Sequence, residues 1–159
     1  MTERPENLPE PRWLTDEEQV DWRAFLHGAR LLEAALDSDL SAHGISSAEY
    51  EILSMVSEAP DMQMRMSALA DLVVQSRSRV THTAARLESR GLVQRRPSPD
   101  DGRGVELALT AKGRELLDWL AVVHLHSVRR HFVDLLTPEQ FRAVGEAMSI
   151  IRAHGRPRQ

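Results

Sequence analysis

The stretch that most restricts what this chain can become covers residues 67–110, SALADLVVQSRSRVTHTAARLESRGLVQRRPSPDDGRGVELALT. It reads as helix, turn, helix and then a two-stranded hairpin with a charged tip. The first helix, over about 67–74, is expected to bury Leu69, Ala70, Leu72 and Val73, with Ser67 as its cap. Gln75-Ser76-Arg77 forms a short polar link. The second helix begins at about 76–78, runs to Arg90 and stops at Gly91, since glycine adopts the left-handed conformation that ends helices without steric cost.

Within the second helix Val80, Ala84 and Leu87 recur at i, i+4 and i+7, a narrow apolar stripe at about 100° per residue. Ser78, Arg79, His82, Arg86 and Arg90 gather on the opposite side, with Thr83 on its flank. Such a helix suits a DNA major groove: Arg grips guanine edges or phosphates, and Ser, Thr and His offer shorter hydrogen bonds. A solvated surface helix has much the same pattern, so the hairpin carries more weight. Residues 92–96 read as a strand and 97–104 as a turn cluster. Residues 105–109 alternate, with Val105, Leu107 and Leu109 inward. Helix-turn-helix followed by a hairpin is a winged helix-turn-helix. Its candidate DNA contacts are Ser76, Arg77, Ser78, Arg79, His82, Thr83 and Arg86 on the helix side, and Arg95, Arg96, Ser98 and Arg103 on the wing. Arg103 lies at the tip, placed to enter a minor groove, where narrow A·T tracts attract Arg; Asp100 or Asp101 is a candidate brace for it.

The run RLESRGLVQR at 86–95, DDGR at 100–103 and LALTAKG at 107–113 resembles the signature of MarR-family transcriptional regulators. The resemblance extends over roughly residues 26–151. Each piece alone is weak; the three in this order and spacing are specific. The resemblance implies a homodimeric winged-helix DNA-binding protein that represses transcription and releases DNA on binding a small molecule.

The net charge of −4 looks wrong for a DNA binder until its distribution is considered. Residues 1–61 hold 14 acidic side chains against 4 arginines, whereas residues 75–103 hold 7 arginines against Glu88, Asp100 and Asp101. The acidic remainder would repel DNA from the wrong faces. With no cysteine there is no disulfide, thiolate metal site or thiol switch. The sequence has neither a long apolar run nor a charged-then-apolar leader, so a cytoplasmic protein without membrane contact is expected.

In chain order, residues 1–14 read as an extended arm. Residues 15–42 form a first helix capped by Thr15 and Glu18, with Val20, Trp22, Phe25, Leu26, Ala29, Leu32, Leu36 and Leu40 at helical spacing. This is more apolar surface than one side of a small domain uses, and a partner subunit would take the excess. Residues 43–110 form the winged helix-turn-helix. It opens with a second helix capped at Ser46 and Glu49, carrying Tyr50, Ile52, Leu53 and Val56, and a short edge strand over Met62, Met64 and Met66. Residues 111–155 form two C-terminal helices, the first capped by Thr110 and reaching about Asp134. The second is capped by Thr137 with Pro138 and Gln140, and carries Phe141, Val144, Met148 and Ile151. Residues 156–159 are a loose tail. The fold expected is therefore mainly α with a small β wing, about six helices, dimerised through its N- and C-terminal helices. Two recognition helices roughly 34 Å apart would demand a palindromic double-stranded operator.

His124 and His131 share a helix face, but His126 points elsewhere and the chain has no His-x-x-x-His pair, so no metal or other cofactor is assigned. No phosphate loop, nucleophile elbow or paired carboxylate points to an enzyme. For a small effector, the resemblance points to the crevice between the dimer helices and the DNA head. Trp22, Phe25, Leu26, Tyr50 and Leu53 are candidate walls, Arg30 and His43 candidate anchors, and Leu116 or Leu120 additions from the fifth helix. An aromatic-lined pocket with one cation suits a small aromatic or phenolic acid. Two alternatives stand beside this reading: a winged-helix protein-interaction module without specific DNA binding, and a metal-responsive regulator.

Overall fold

The computed structural model describes residues 10–73, 75–98 and 101–155, the side chains of 101–103 excepted. Among these residues six helices and three strands alternate: α1 (Asp16–Ser41), α2 (Ser47–Glu58), β1 (Gln63–Arg65), α3 (Met66–Leu72), α4 (Arg77–Ser89), β2 (Val93–Ser98), β3 (Asp101–Leu109), α5 (Ala111–His131) and α6 (Pro138–His154). Short 3₁₀ turns precede β1 and follow α5.

Local chemistry explains most of the boundaries. Thr15 and Glu18 cap α1 reciprocally at 3.2 and 2.8 Å, and the Ser46–Glu49 and Thr137–Gln140 pairs do the same for α2 and α6. Pro138 takes the first turn of α6, where its missing N–H costs nothing. Ser76 caps α4, and Gly91, at φ +71°, closes it. Asp61 and Met62 hold two consecutive positive φ angles, 53° and 52°, and turn the chain sharply into β1.

The sheet is antiparallel in the order β1-β3-β2. β1 pairs only with Glu106–Ala108, so beyond Glu106 the hairpin continues as a two-stranded ribbon. Pro97 sits on the edge strand β2, where the ladder does not need its missing donor. The core forms where α2, α3, α4, the sheet base and α5 meet. Leu40, Ile52, Leu53, Val56, Leu69, Val80, Ala84, Leu87, Leu107 and Leu120 are all fully buried there. Truncating any one of the leucines would cost about 2–5 kcal/mol.

Several expectations need correction. Ser67 does not cap α3; Arg65 holds the N-cap position, where its side chain does not cap the helix, and the helix starts one residue before Ser67. Leu72 is 52 % exposed, because on so short a helix Leu69, Ala70 and Val73 already face the core and Leu72 lies about a quarter-turn away. Val105 is 43 % exposed because it pairs with Pro97 in the two-stranded ribbon, past the reach of β1. The expected turn over 97–104 is mostly strand, with β2 reaching Ser98 and β3 starting at Asp101. α5 ends at His131, three residues early, and gives way to the 3₁₀ turn Val133–Leu135. Val74, Pro99, Asp100, residues 1–9 of the arm expected over 1–14, and the tail over 156–159 lie outside the described residues.

Candidate nucleic-acid interface

At about 100° per residue, the face of α4 diametrically opposite Val80, Ala84 and Leu87 belongs to Ser78, His82, Ala85 and Ser89. Ser78, His82 and Ser89 are exposed. Arg79, Arg86 and Arg90 run along one flank, turned toward α2. At the helix start the Ser76 hydroxyl accepts from the Arg79 N–H at 3.3 Å and lies 3.2 Å from the Ser78 hydroxyl. Arg77 is exposed beside them and faces no acidic group among the described residues.

Two proposed contacts lie elsewhere. Thr83 is 4 % exposed, because only about 60° separates it from the buried stripe. Ser98 is also 4 % exposed, and its hydroxyl donates to the Glu106 carboxylate at 2.9 Å. Neither hydroxyl is displayed on the surface. Arg95 is exposed but committed: its backbone N–H and its guanidinium Nε donate to the two Glu88 oxygens at 2.8 and 2.6 Å. These bonds hold the Glu88 carboxyl below the usual carboxylate range and tie the wing to α4. Arg96 leans on Gln94 at 2.9 Å and stays exposed. The backbone of Arg103 belongs to β3, but its side chain lies outside the described residues, as does the bracing by Asp100 or Asp101.

The head is fastened to α5 by the Leu-Thr-x-x-Gly segment. The Thr110 hydroxyl donates toward the Gly91 and Leu92 carbonyls at 2.8 and 3.0 Å and accepts from the Gly113 N–H at 3.0 Å. Lys112 donates to the Arg90 carbonyl at 2.8 Å. The end of α4, the start of β2 and the start of α5 therefore share one hydrogen-bonded knot.

Above α4 lies an open crevice of about 1040 Å³ between α1, α2, α4 and α5. Of the expected pocket residues, Arg30 and Tyr50 line it. The others do not. Trp22 and Phe25 stack 5.9 Å apart on the exposed outer half of α1, and half-buried Leu26 lies outside the lining. Leu53 is core, as is Leu120; Leu116 packs against that core. His43 meets Trp119 edge-on at 4.8 Å, away from the crevice. Sequence reasoning missed Ser47, Gln75 and His124, together with the α4 residues Arg79, His82, Thr83 and Arg86, all of which line the crevice. The signal available was weak: His124 lies seven residues beyond the buried Leu117, on the same side of α5.

The crevice lining is polar and incompletely paired. His124 tilts on Tyr50 with ring centres 4.5 Å apart, and its Nδ1 is buried without a hydrogen-bond partner. Burial pushes its pKa down, so the ring is neutral at neutral pH. The Gln75 amide donates to Glu51 at 3.1 Å, which leaves its carbonyl oxygen buried and unpaired; the Ser47 hydroxyl is unpaired too. Burial raises the Glu51 pKa, partly offset by Gln75 and Arg79. No group of three metal-ligating side chains is gathered among the described residues, and no described helix is long and apolar enough to cross a membrane.

Residues 43–104 match the sequence model of the MarR family. The chain is 42 % identical to AbsC, a MarR family transcriptional regulator from Streptomyces coelicolor, over 93 % of this chain and 100 % of that one, with a TM-score of 0.88. It is likewise 42 % identical to Sco3205 of the same organism, a MarR family transcriptional regulator crystallised in complex with DNA, over 93 % of each chain and with a TM-score of 0.89. The Escherichia coli transcriptional repressor MprA is 35 % identical over 78 residues, 49 % of this chain and 44 % of that one.

Proposed function

Since this chain belongs to the MarR family of transcriptional regulators, we propose that it binds a palindromic operator as a homodimer, represses the adjoining gene and is released by a small aromatic or phenolic acid. The observation that carries the DNA reading is the outward face of α4. Exposed Ser78, His82 and Ser89 are flanked by arginines beside a basic wing, on a backbone that matches a regulator crystallised with DNA. In this reading α4 enters the major groove and the wing, with Arg103 at its tip, follows the minor groove. Repression is supported by the likeness to MprA, which is named a repressor.

The dimer is supported by α6, a 17-residue helix none of whose residues is buried in its own chain. Trp22, Leu31, Trp119, Leu125, Phe141 and Ile150 are 43–72 % exposed along α1, α5 and α6. That is far more apolar surface than an isolated monomer carries comfortably in water. The effector reading is supported by the crevice: three buried polar atoms without partners belong to residues that share its lining with Arg30 and with α4 residues. A phenolic acid would satisfy the Gln75 carbonyl with its hydroxyl and face Arg30 with its carboxylate. Wedging α1 and α5 away from α4 is the two-state element this release requires.

The test is an anisotropy titration against DNA from upstream of the gene, at two salt concentrations, with and without hydroxybenzoic acids. Competitor-resistant binding that weakens with salt and with added acid is the expected result. Binding indifferent to a panel of such acids would overturn the effector assignment. Failure to enrich any palindrome from random DNA would overturn operator binding.

A further inference from the structure

Glu49 is the one ionisable side chain among the described residues that is buried, at 7 % exposure. Its two oxygens serve two elements. Oε2 accepts from the Ser46 N–H at 2.9 Å and the Ser46 hydroxyl at 3.0 Å, completing the cap of α2. Oε1 lies 3.3 Å from the Arg86 guanidinium and 3.8 Å from that of Arg90, one turn apart on the flank of α4. The two arginine side chains are 51 % and 39 % exposed, so their heads meet the buried acid from one side and water from the other. A phosphate oxygen approaching α4 would seek the same two guanidinium groups.

We propose that Glu49 is a positioning residue that stands in for a DNA phosphate, holding Arg86 and Arg90 against α2 until an operator displaces it. The proposal rests on the reading of α4 as a recognition helix. Its physical basis is an asymmetry of cost. Separating the arginines from Glu49 leaves a buried carboxylate without its counter-charges, which is strongly unfavourable, whereas losing an exposed ion pair costs little. Loose, sequence-independent contact with the DNA backbone leaves the pair closed. Only a site that makes many contacts at once opens it. Glu49 therefore lowers non-specific affinity more than operator affinity, and so raises discrimination without touching a base.

The variant that isolates this role is Glu49→Gln. Its amide oxygen can still accept from the Ser46 N–H, since Gln serves in a capping box as Glu does, but its charge is gone. On a random-sequence duplex the expected result is affinity about three- to tenfold higher at low salt and a salt slope steeper by about 1 to 2 per chain, as one or two arginines reach phosphates. Elution from heparin should move to higher salt in parallel. Ser46→Ala, which damages the cap and leaves the charge pair, should change neither slope nor elution. In an R86Q/R90Q background Glu49→Gln should lose its effect. The proposal is overturned if Glu49→Gln leaves slope and elution unchanged, if Ser46→Ala reproduces its effect, or if the effect survives in the R86Q/R90Q background. A second comparison does not depend on the buried substitution: R77Q, at an arginine facing no acid, should flatten the wild-type slope more than R86Q does. Equal flattening would also overturn the proposal. A wild-type protein that ignores duplex DNA while Glu49→Gln still shifts heparin elution would support the charge-holding role and overturn the operator reading instead.

Discussion

A methyl group added at Gly113 has nowhere to go. An ideal Cβ there would lie 2.0 Å from the Leu92 carbonyl oxygen and 2.9 Å from Leu109 Cδ1, and the first of these neighbours is backbone that cannot swing aside. Thr110 fixes the close approach by bonding the Leu92 carbonyl and the Gly113 N–H together. Gly113→Ala should therefore destabilise the fold by about 2–4 kcal/mol in denaturant unfolding, through overpacking and a broken cap. Gly145→Ala in α6, where nothing lies within 4 Å, should be neutral or stabilising by up to about 1 kcal/mol. Equal effects at the two glycines would sink the steric account. The Leu-Thr-x-x-Gly spacing was legible in the chain as a resemblance; its cause, contact between β2 and the first turn of α5, became visible only with the carbonyl in place.

Between elements, the seam of α1 and α5 is held by one carboxylate. Asp39 accepts from the Ser127 hydroxyl at 2.5 Å and from Arg130 at 2.7 Å, with His131 at 3.2 Å. The Ser127 bond, then the Arg130 bond and charge, hold its carboxyl below the ordinary value despite some burial. A depressed acid contributes stability above its unfolded pKa and loses that contribution as pH falls through the folded one. The melting temperature of the wild type should thus fall faster than that of Asp39→Asn as pH drops below about 4, and the gap between them at neutral pH should close. Parallel melting curves across that window would remove Asp39 from the seam. The helices themselves were readable from caps and periodicity, since Thr15, Ser46, Thr110 and Thr137 each announce a start. The pairing of Asp39 with Ser127, 88 residues apart, was not, because nothing local marks either residue as a partner.

At the scale of the molecule, the proposed dimer would cover the unburied α6 and the apolar sides of α1 and α5. In light scattering the protein should have about twice its 18.0 kDa chain mass, and its melting temperature should rise with concentration. Val144→Asp with Ile151→Asp, both at exposed α6 positions, should yield a monomer that melts lower and loses operator binding while keeping helical circular dichroism. A dimer that survives both charges would move the interface off α6.

Local and periodic information is carried by the chain itself. Side-chain caps, the 3.6-residue stripe of Val80, Ala84 and Leu87, the glycine stop at 91 and the alternation of the hairpin each depend on neighbours a few residues away, and they determine the element order and the winged helix-turn-helix. Which exposed-looking group is free to act depends on distant backbone. Thr83 and Ser98, candidate DNA contacts by sequence, are buried; Arg86 and Arg95, candidates by the same pattern, are paired with Glu49 and Glu88. The crevice shows the same divide. Of its expected residues only Arg30 and Tyr50 reach it, while Ser47, Gln75 and His124 meet there from α2, the link before α4 and α5. Periodicity assigns a residue to a face, but burial and ion pairing depend on what packs against that face, and only the tertiary arrangement decides that.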